Sequence, residues 1–153
     1  MLKRLAAFLV AGCLLLGSAL ADEETLRSLA LLLGLEDAYG FAETVLTLRR
    51  EGELPDHYVT KGEARDLGWR PGDDLCRSAP GRVIGGDRFG NREGRLPDRP
   101  GRRWHEADLD FDCGRRGARR LVFSSDGLVF VTLDHYETFY EIPAEATGEE
   151  DRQ

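Results

Sequence analysis

The sequence predicts an α+β protein, with N-terminal helices packed on a C-terminal antiparallel sheet of about five strands. Three observations carry that prediction. Up to about residue 80, apolar residues recur at helical spacing and the helix start and stop signals are explicit. From residue 82 the apolar runs shorten and alternate. Ser124-Ser125-Asp126-Gly127 then stands between "LVF" and "LVFV", where the glycine suits a hairpin turn. At 153 residues the chain can bury the core of one domain without a structural metal.

Residues 1–21 stand apart from that fold. "MLKR" is a short basic lead, "LAAFLVAGCLLLGSAL" an apolar run, and Ala19-Leu20-Ala21 a small-residue cleavage site before "DEE". The segment reads as a signal peptide, so the mature chain is expected to be secreted, with no membrane attachment. The run is short and wrongly flanked for a membrane span. Val10-Ala11-Gly12-Cys13 also resembles a lipobox, which would leave Cys13 lipidated; the apolar run continues to Leu20 and favours cleavage after Ala21.

Residues 22–36 read as an N-terminal extension or a propeptide, helical with a break near Gly34. The folded domain is expected over 37–142, followed by an acidic tail over 143–153. Phe41, Val45 and Leu48 fall on one helical stripe, which Gly52 stops. Thr60 and Glu63 form a capping-box pattern, so a short helix is predicted over 61–67 with Lys61 in its first turn and Gly68 at its end. A further helical turn is expected near 73–79. Strands are predicted near 83–88, 103–109, 119–124, 128–134 and 138–142. Within the second of these, Ala107, Leu109 and Phe111 share one side, and Glu106, Asp108 and Asp110 the other. Antiparallel sheets often leave one face open, so periodicity alone puts Glu106 on a solvated face.

Removal of the leader takes the formal charge from -7 to -9. Yet residues 88–120 hold ten arginines against six acids, a local excess of four positive charges. A basic stripe on an acidic body suits a polyanion, or is simply a solvated arginine-rich surface. Beyond the leader there is one lysine, Lys61. Two cysteines remain there, Cys76 and Cys113, and an oxidising compartment favours their pairing, worth about 3–4 kcal/mol for a loop of this length. The three histidines, His57, His105 and His135, match no zinc spacing, so neither metal nor other cofactor is expected.

"LPDHYVTKGEARDLGW", "IGGDRFGNREGRLP", "GRRWHEADLDF", "LVFSSDGLVF" and "TLDHYETFYEI" resemble, in order and spacing, the secreted bacterial guanyl-preferring ribonucleases of the barnase group. The resemblance covers about residues 54–142. It implies the microbial ribonuclease fold and cleavage of single-stranded RNA on the 3′ side of guanosine, through a 2′,3′-cyclic phosphate that is then hydrolysed. By resemblance Glu106 is the base and His135 the acid, while Arg116, Arg120 and Lys61 stabilise the phosphate charge. Asp108 holds the arginines. Phe89, Gly90, Asn91, Arg92 and Glu93 form the guanine-reading loop, with Glu93 accepting from the base and Tyr136 adding aromatic contact. The implied partners are RNA and a barstar-like inhibitor, and the chain is expected to act as a monomer.

A non-catalytic RNA- or polyanion-binding module on the same fold is the alternative; the presence of both Glu106 and His135 argues against it. The chain departs from the barnase group in several places. Gly90 stands where that group has Ser, Arg115 replaces an aromatic, and Gly127 replaces a Trp. His105 takes a basic residue's place and reads as an ordinary exposed strand position. The net charge is acidic where the group is basic. The cysteine pair is additional, and would tie the loop after the second helix to the loop after the Glu106 strand.

Overall fold

The computed structural model describes residues 22–144. The expected signal peptide over 1–21, with Cys13 and the expected cleavage site, and most of the acidic tail lie outside them. The chain divides into two compact units within one helix, between Leu46 and Thr47. Helix α1 covers residues 22–32 and ends at a turn in which Gly34 takes φ +76°. Helix α2, Ala38–Glu51, follows; Phe41 and Val45 are fully buried, and Leu48 is buried as well. Gly52, at φ +75°, ends it.

In the second unit, β1 (Tyr58–Val59) leads into α3 (Lys61–Asp66). Thr60 and Glu63 make the reciprocal capping box, with Thr60 Oγ1 accepting from the Glu63 amide at 3.2 Å and Glu63 Oε2 accepting from the Thr60 amide at 2.7 Å. That backbone amide and the Thr60 hydroxyl hold the Glu63 carboxyl below its usual range. Helix α4 is a single turn, Leu75–Ser78, capped by Asp74. Ala64, Trp69, Leu75, Ala79 and Ile84 form the small core under these helices.

The sheet follows as β2 (Val83–Phe89), β3 (Trp104–Asp108), β4 (Arg120–Ser124), β5 (Val129–Thr132) and β6 (Tyr140–Glu141). Its spatial order is β1-β2-β3-β4-β5-β6. Six strands replace the expected five or so. The extra one, β1, is two residues long and parallel to β2, while the other neighbours are antiparallel. A two-residue strand carries no alternation for a sequence to display. The β4–β5 hairpin closes where expected, with Gly127 at φ +98° and its amide donating to the Ser124 carbonyl at 3.2 Å.

Register places Trp104, Glu106 and Asp108 of β3 beside Ser124, Val122 and Arg120 of β4. Phe130 and Thr132 of β5 continue the Val122 and Arg120 rows. Ala107, Leu121 and Val131 share the opposite face and are buried. The solvated face expected for Glu106 does not exist: Glu106 is 7% exposed and Asp108 2%. Alternation assigned their side correctly but could not say what covers it. Trp104, Val122, Phe130 and Leu96, with Phe89, Leu128, Tyr136 and Phe139 around them, fill one end of that face.

Candidate active site

Glu106 sits mid-strand on β3, and residues distant in sequence cover it. Lys61, from the first turn of α3, places Nζ 2.8 Å from Glu106 Oε1. The Tyr136 hydroxyl donates to Oε2. Burial pushes the Glu106 carboxyl up, but the bonds from Lys61 and Tyr136 and the charges of Lys61 and Arg120 outweigh it, leaving the carboxyl below its usual range. The Tyr136 phenol is raised well above its ordinary value, first by burial and then by its bond to Glu106. Glu106 is therefore an ionised, buried carboxylate whose oxygens both carry donors.

Two glycines make this placement possible. A Cβ on Gly85 would lie 2.5 Å from the Tyr58 ring and 2.9 Å from Ala107 Cβ, so the strands could not approach as closely. Gly86, at φ +99°, takes up a β-bulge that brings Asp87 opposite Glu106. Asp87 Oδ2 then accepts from the Lys61 amide at 2.9 Å, fixing the start of α3 over the sheet. Sequence reading passed over Asp87, although two adjacent glycines inside a strand are a bulge signal.

Asp108, one strand repeat from Glu106, gathers the arginines. Arg116 donates through Nε and Nη2 to its two oxygens, each at 2.7 Å. That forked bond raises the Arg116 pKa against the effect of burial. Arg120, 3% exposed, brings Nε to 3.0 Å from Asp108 Oδ1, close enough to pair but misaligned for a hydrogen bond. Its Nη1 donates to the carbonyls of Gly117 and Arg119 at 2.7 and 2.8 Å. Among the other arginines of this stretch, two are held by carboxylates. Arg102 clamps Asp126 at the hairpin turn, with Nη2 at 2.8 Å, and Arg119 pairs with Asp110 at 2.5 Å. His105 is not simply exposed either: it is half-buried, its ring stacks on Phe123, and Nδ1 lies 3.1 Å from the Gly86 carbonyl.

Two clefts meet at His135. One, of about 640 Å³, is lined on one side by Trp69, Pro71, Gly72 and Asp73 and on the other by Arg115 to Ala118, with Arg120 and His135. The second, of about 300 Å³, is formed by Phe89, Gly90, Asn91, Arg92, Glu93 and Arg95 together with His135, Tyr136 and Glu137. His135 and Tyr136 reach this junction on a turn with φ of +56° and +74°. Asp134 builds that turn, its Oδ1 accepting from the amides of Glu137 at 3.1 Å and Thr138 at 2.9 Å. The Thr138 amide is the largest influence holding the Asp134 carboxyl below its usual range. Arg95 Nη1 donates to the Tyr136 carbonyl at 2.6 Å.

The loop after β2 is held from within. Asn91 Nδ2 donates to the Leu96 carbonyl and Asn91 Oδ1 accepts from the Leu96 amide, both at 3.0 Å. Asn91 is thus a closing strut whose polar atoms face the loop itself, while Phe89 stacks on Tyr136 with ring centroids 4.9 Å apart. Of the expected site residues, Arg116, Arg120 and His135 line the larger cleft, and Phe89 to Glu93 with His135 and Tyr136 line the smaller. Glu106, Asp108 and Lys61 line neither, but Glu106 is bonded to Tyr136 and Lys61, and Asp108 to Arg116. The cysteines form a disulfide at one end of the larger cleft, with a Cα–Cα distance of 5.5 Å. Among the described residues, Asp74, Cys76 and Cys113 are the tightest grouping of metal-ligand types, and its two sulfurs are bonded to each other.

Residues 42–143 match the family model of ribonucleases. The chain is 50% identical over 104 residues to a ribonuclease of Heyndrickxia coagulans, an alignment covering 67% of this chain and 93% of that one. It is equally similar over the same length to a ribonuclease of Bacillus intermedius, of which it spans 62%. Over 52 residues, 33% of this chain and 52% of the other, it is 48% identical to guanyl-specific ribonuclease St of Saccharopolyspora erythraea.

Proposed function

The chain belongs to the ribonuclease family, and we propose that it is an exported endoribonuclease that cleaves single-stranded RNA after guanosine, without a metal, through a 2′,3′-cyclic phosphate. The observation that carries this reading is the ionised, buried Glu106 beside a cation-lined cleft, with His135 shared by that cleft and the loop pocket. A carboxylate below its usual range is in its basic form at neutral pH, and it can take the proton of a ribose 2′-OH as that oxygen attacks phosphorus. His135, when protonated, returns a proton to the departing 5′ oxygen. In the second step the roles reverse: His135 takes a proton from water, and Glu106 protonates the ribose oxygen. DNA lacks the nucleophile and is not a substrate.

Arg116, Arg120 and Lys61 supply the positive charge for the non-bridging oxygens, where a preset cation is most effective. Arg116 and Arg120 are held before substrate arrives, because Asp108 pairs with both. The pocket from Phe89 to Glu93 suits a planar base between aromatic and backbone surfaces, with Glu93 as acceptor for guanine N1–H and N2–H. The likeness to a guanyl-specific ribonuclease supports that choice of base. We assign residues 1–21 to the signal peptide and 22–36 to the segment preceding the ribonuclease region, and the working form to a monomer whose producer carries a barstar-like inhibitor.

The test is incubation of purified protein with GpN and ApN dinucleotides in EDTA, following cyclic-phosphate release. Rapid GpN cleavage and slow ApN cleavage are expected. Equal rates would remove the guanine preference, and binding without any product would leave a polyanion-binding module.

A further inference from the structure

The larger cleft ends in a feature that neither acid–base chemistry nor base recognition uses. Its two walls, 69–73 and 115–118, approach each other at Asp74 and Gly114. There a single oxygen, Asp74 Oδ1, accepts from the Cys76 amide at 3.0 Å and from the Gly114 amide at 2.8 Å. The Cys76–Cys113 disulfide joins the same two segments, at the second residue after Asp74 and the residue before Gly114. Capping of α4 accounts for the first bond. It does not account for the second, which crosses 40 residues of sequence.

We propose that Asp74 is a positioning residue for Arg116, and that with the disulfide it forms a two-part brace setting the height and angle of the arginine-bearing wall over the reacting phosphate. This rests on the reading of Arg116 as a phosphate ligand. Arg116 is anchored at its guanidinium by Asp108, but a side chain is only as fixed as its backbone. That backbone runs between Gly114 and Gly117, and residues 112–115 are exposed, so burial does little to order it. Cys113 and Gly114 also take consecutive left-handed conformations, φ +56° and +69°. For a non-glycine residue this conformation is disfavoured and needs an external hold. The disulfide grips Cys113 and the carboxylate grips Gly114, so the turn into Arg115-Arg116 is fixed at both residues. Asp74 itself does not line the cleft. It acts through Arg116.

The experiment compares the full-length protein with Asp74→Ala, Asp74→Asn and the double Cys76→Ser/Cys113→Ser variant, all well below their melting temperatures. Three quantities are read: kcat and KM separately on a GpN dinucleotide, and the inhibition or binding constant of inorganic phosphate. The amide oxygen of Asn accepts both backbone bonds, so Asp74→Asn is expected to match the parent. Asp74→Ala is expected to lower kcat roughly ten- to a hundredfold and to weaken phosphate binding, with KM for the guanosine end little changed. The serine pair is expected to do the same more mildly, and to worsen sharply when combined with Asp74→Ala. A variant that melts earlier yet keeps parental kcat and phosphate affinity overturns the proposal, as does Asp74→Asn failing like Asp74→Ala. If the parent cleaves no GpN, the catalytic reading falls, and phosphate affinity alone then decides whether the brace positions Arg116.

Discussion

The β3–β4 centre and the loop after β2 solve opposite problems. In the first, charged side chains are buried on strands and hold one another: Glu106, Asp108 and Arg120 are each less than a tenth exposed. In the second, residues 92–95 are exposed, and the loop is shaped by the side chain of Asn91 reaching its own backbone. The strands fix charge, as the proposed proton and phosphoryl transfer requires. The loop offers a pocket edge of backbone groups and a stacked aromatic pair, suited to the flat base of the proposed substrate. Damage to the first should therefore cost rate or stability, and damage to the second should cost discrimination.

Substitution at the centre is the most severe way to break that division. Glu106→Ala should lower kcat/KM on GpN by about 10²–10⁴ while the far-UV spectrum stays unchanged; full rate in this variant would remove Glu106 as the base. Next comes Asp108→Ala, which leaves Arg120 buried without its carboxylate. Loss of one partner of a buried pair costs about 3–5 kcal/mol, readable as a shift in the urea midpoint. In the loop, Asn91→Ala removes two hydrogen bonds of about 1 kcal/mol each, and the ratio of GpN to ApN rates should fall roughly tenfold, with a loss of stability smaller than that of Asp108→Ala. Were that variant to unfold instead, the loop would belong with the core.

The smallest expected effect lies in the pH profile. Glu106 is held below the usual carboxylate range, so the acid limb of kcat/KM should lie below that range too. The stabilisation linked to Glu106 is present above its unfolded-state pKa and is lost as pH falls through the lower folded one. Lys61→Gln removes the ammonium, lets burial dominate, and should move the acid limb to higher pH. A limb that stays in place would mean that Tyr136 and Arg120 suffice.

Much of the frame was legible because it is locally encoded. Thr60 and Glu63 cap α3 within four residues, and the hairpin announces itself in Ser124 to Gly127. The candidate site residues came from a resemblance spread along the chain. What remained hidden depends on distance. Glu106 meets Lys61 from 45 residues away and Tyr136 from 30, and no period in β3 reports a lid supplied by other elements. Asp74 is hidden for the same reason. The fold makes it the cap of α4 and also brings Gly114 to the same oxygen, which nothing in the sequence joins.

The pairing of Lys61 with Glu106 has a consequence for when the enzyme is armed. At rest Lys61, the only lysine after residue 21, lies against the carboxylate proposed as base. A phosphate competes for that same ammonium, whereas a neutral molecule entering the cleft does not. Substrate arrival would therefore exchange the partner of Lys61 and open one oxygen of Glu106 at the moment a 2′-hydroxyl stands beside it. Under the proposed mechanism the contact would work as a latch, released by the negative charge of the bond to be cut.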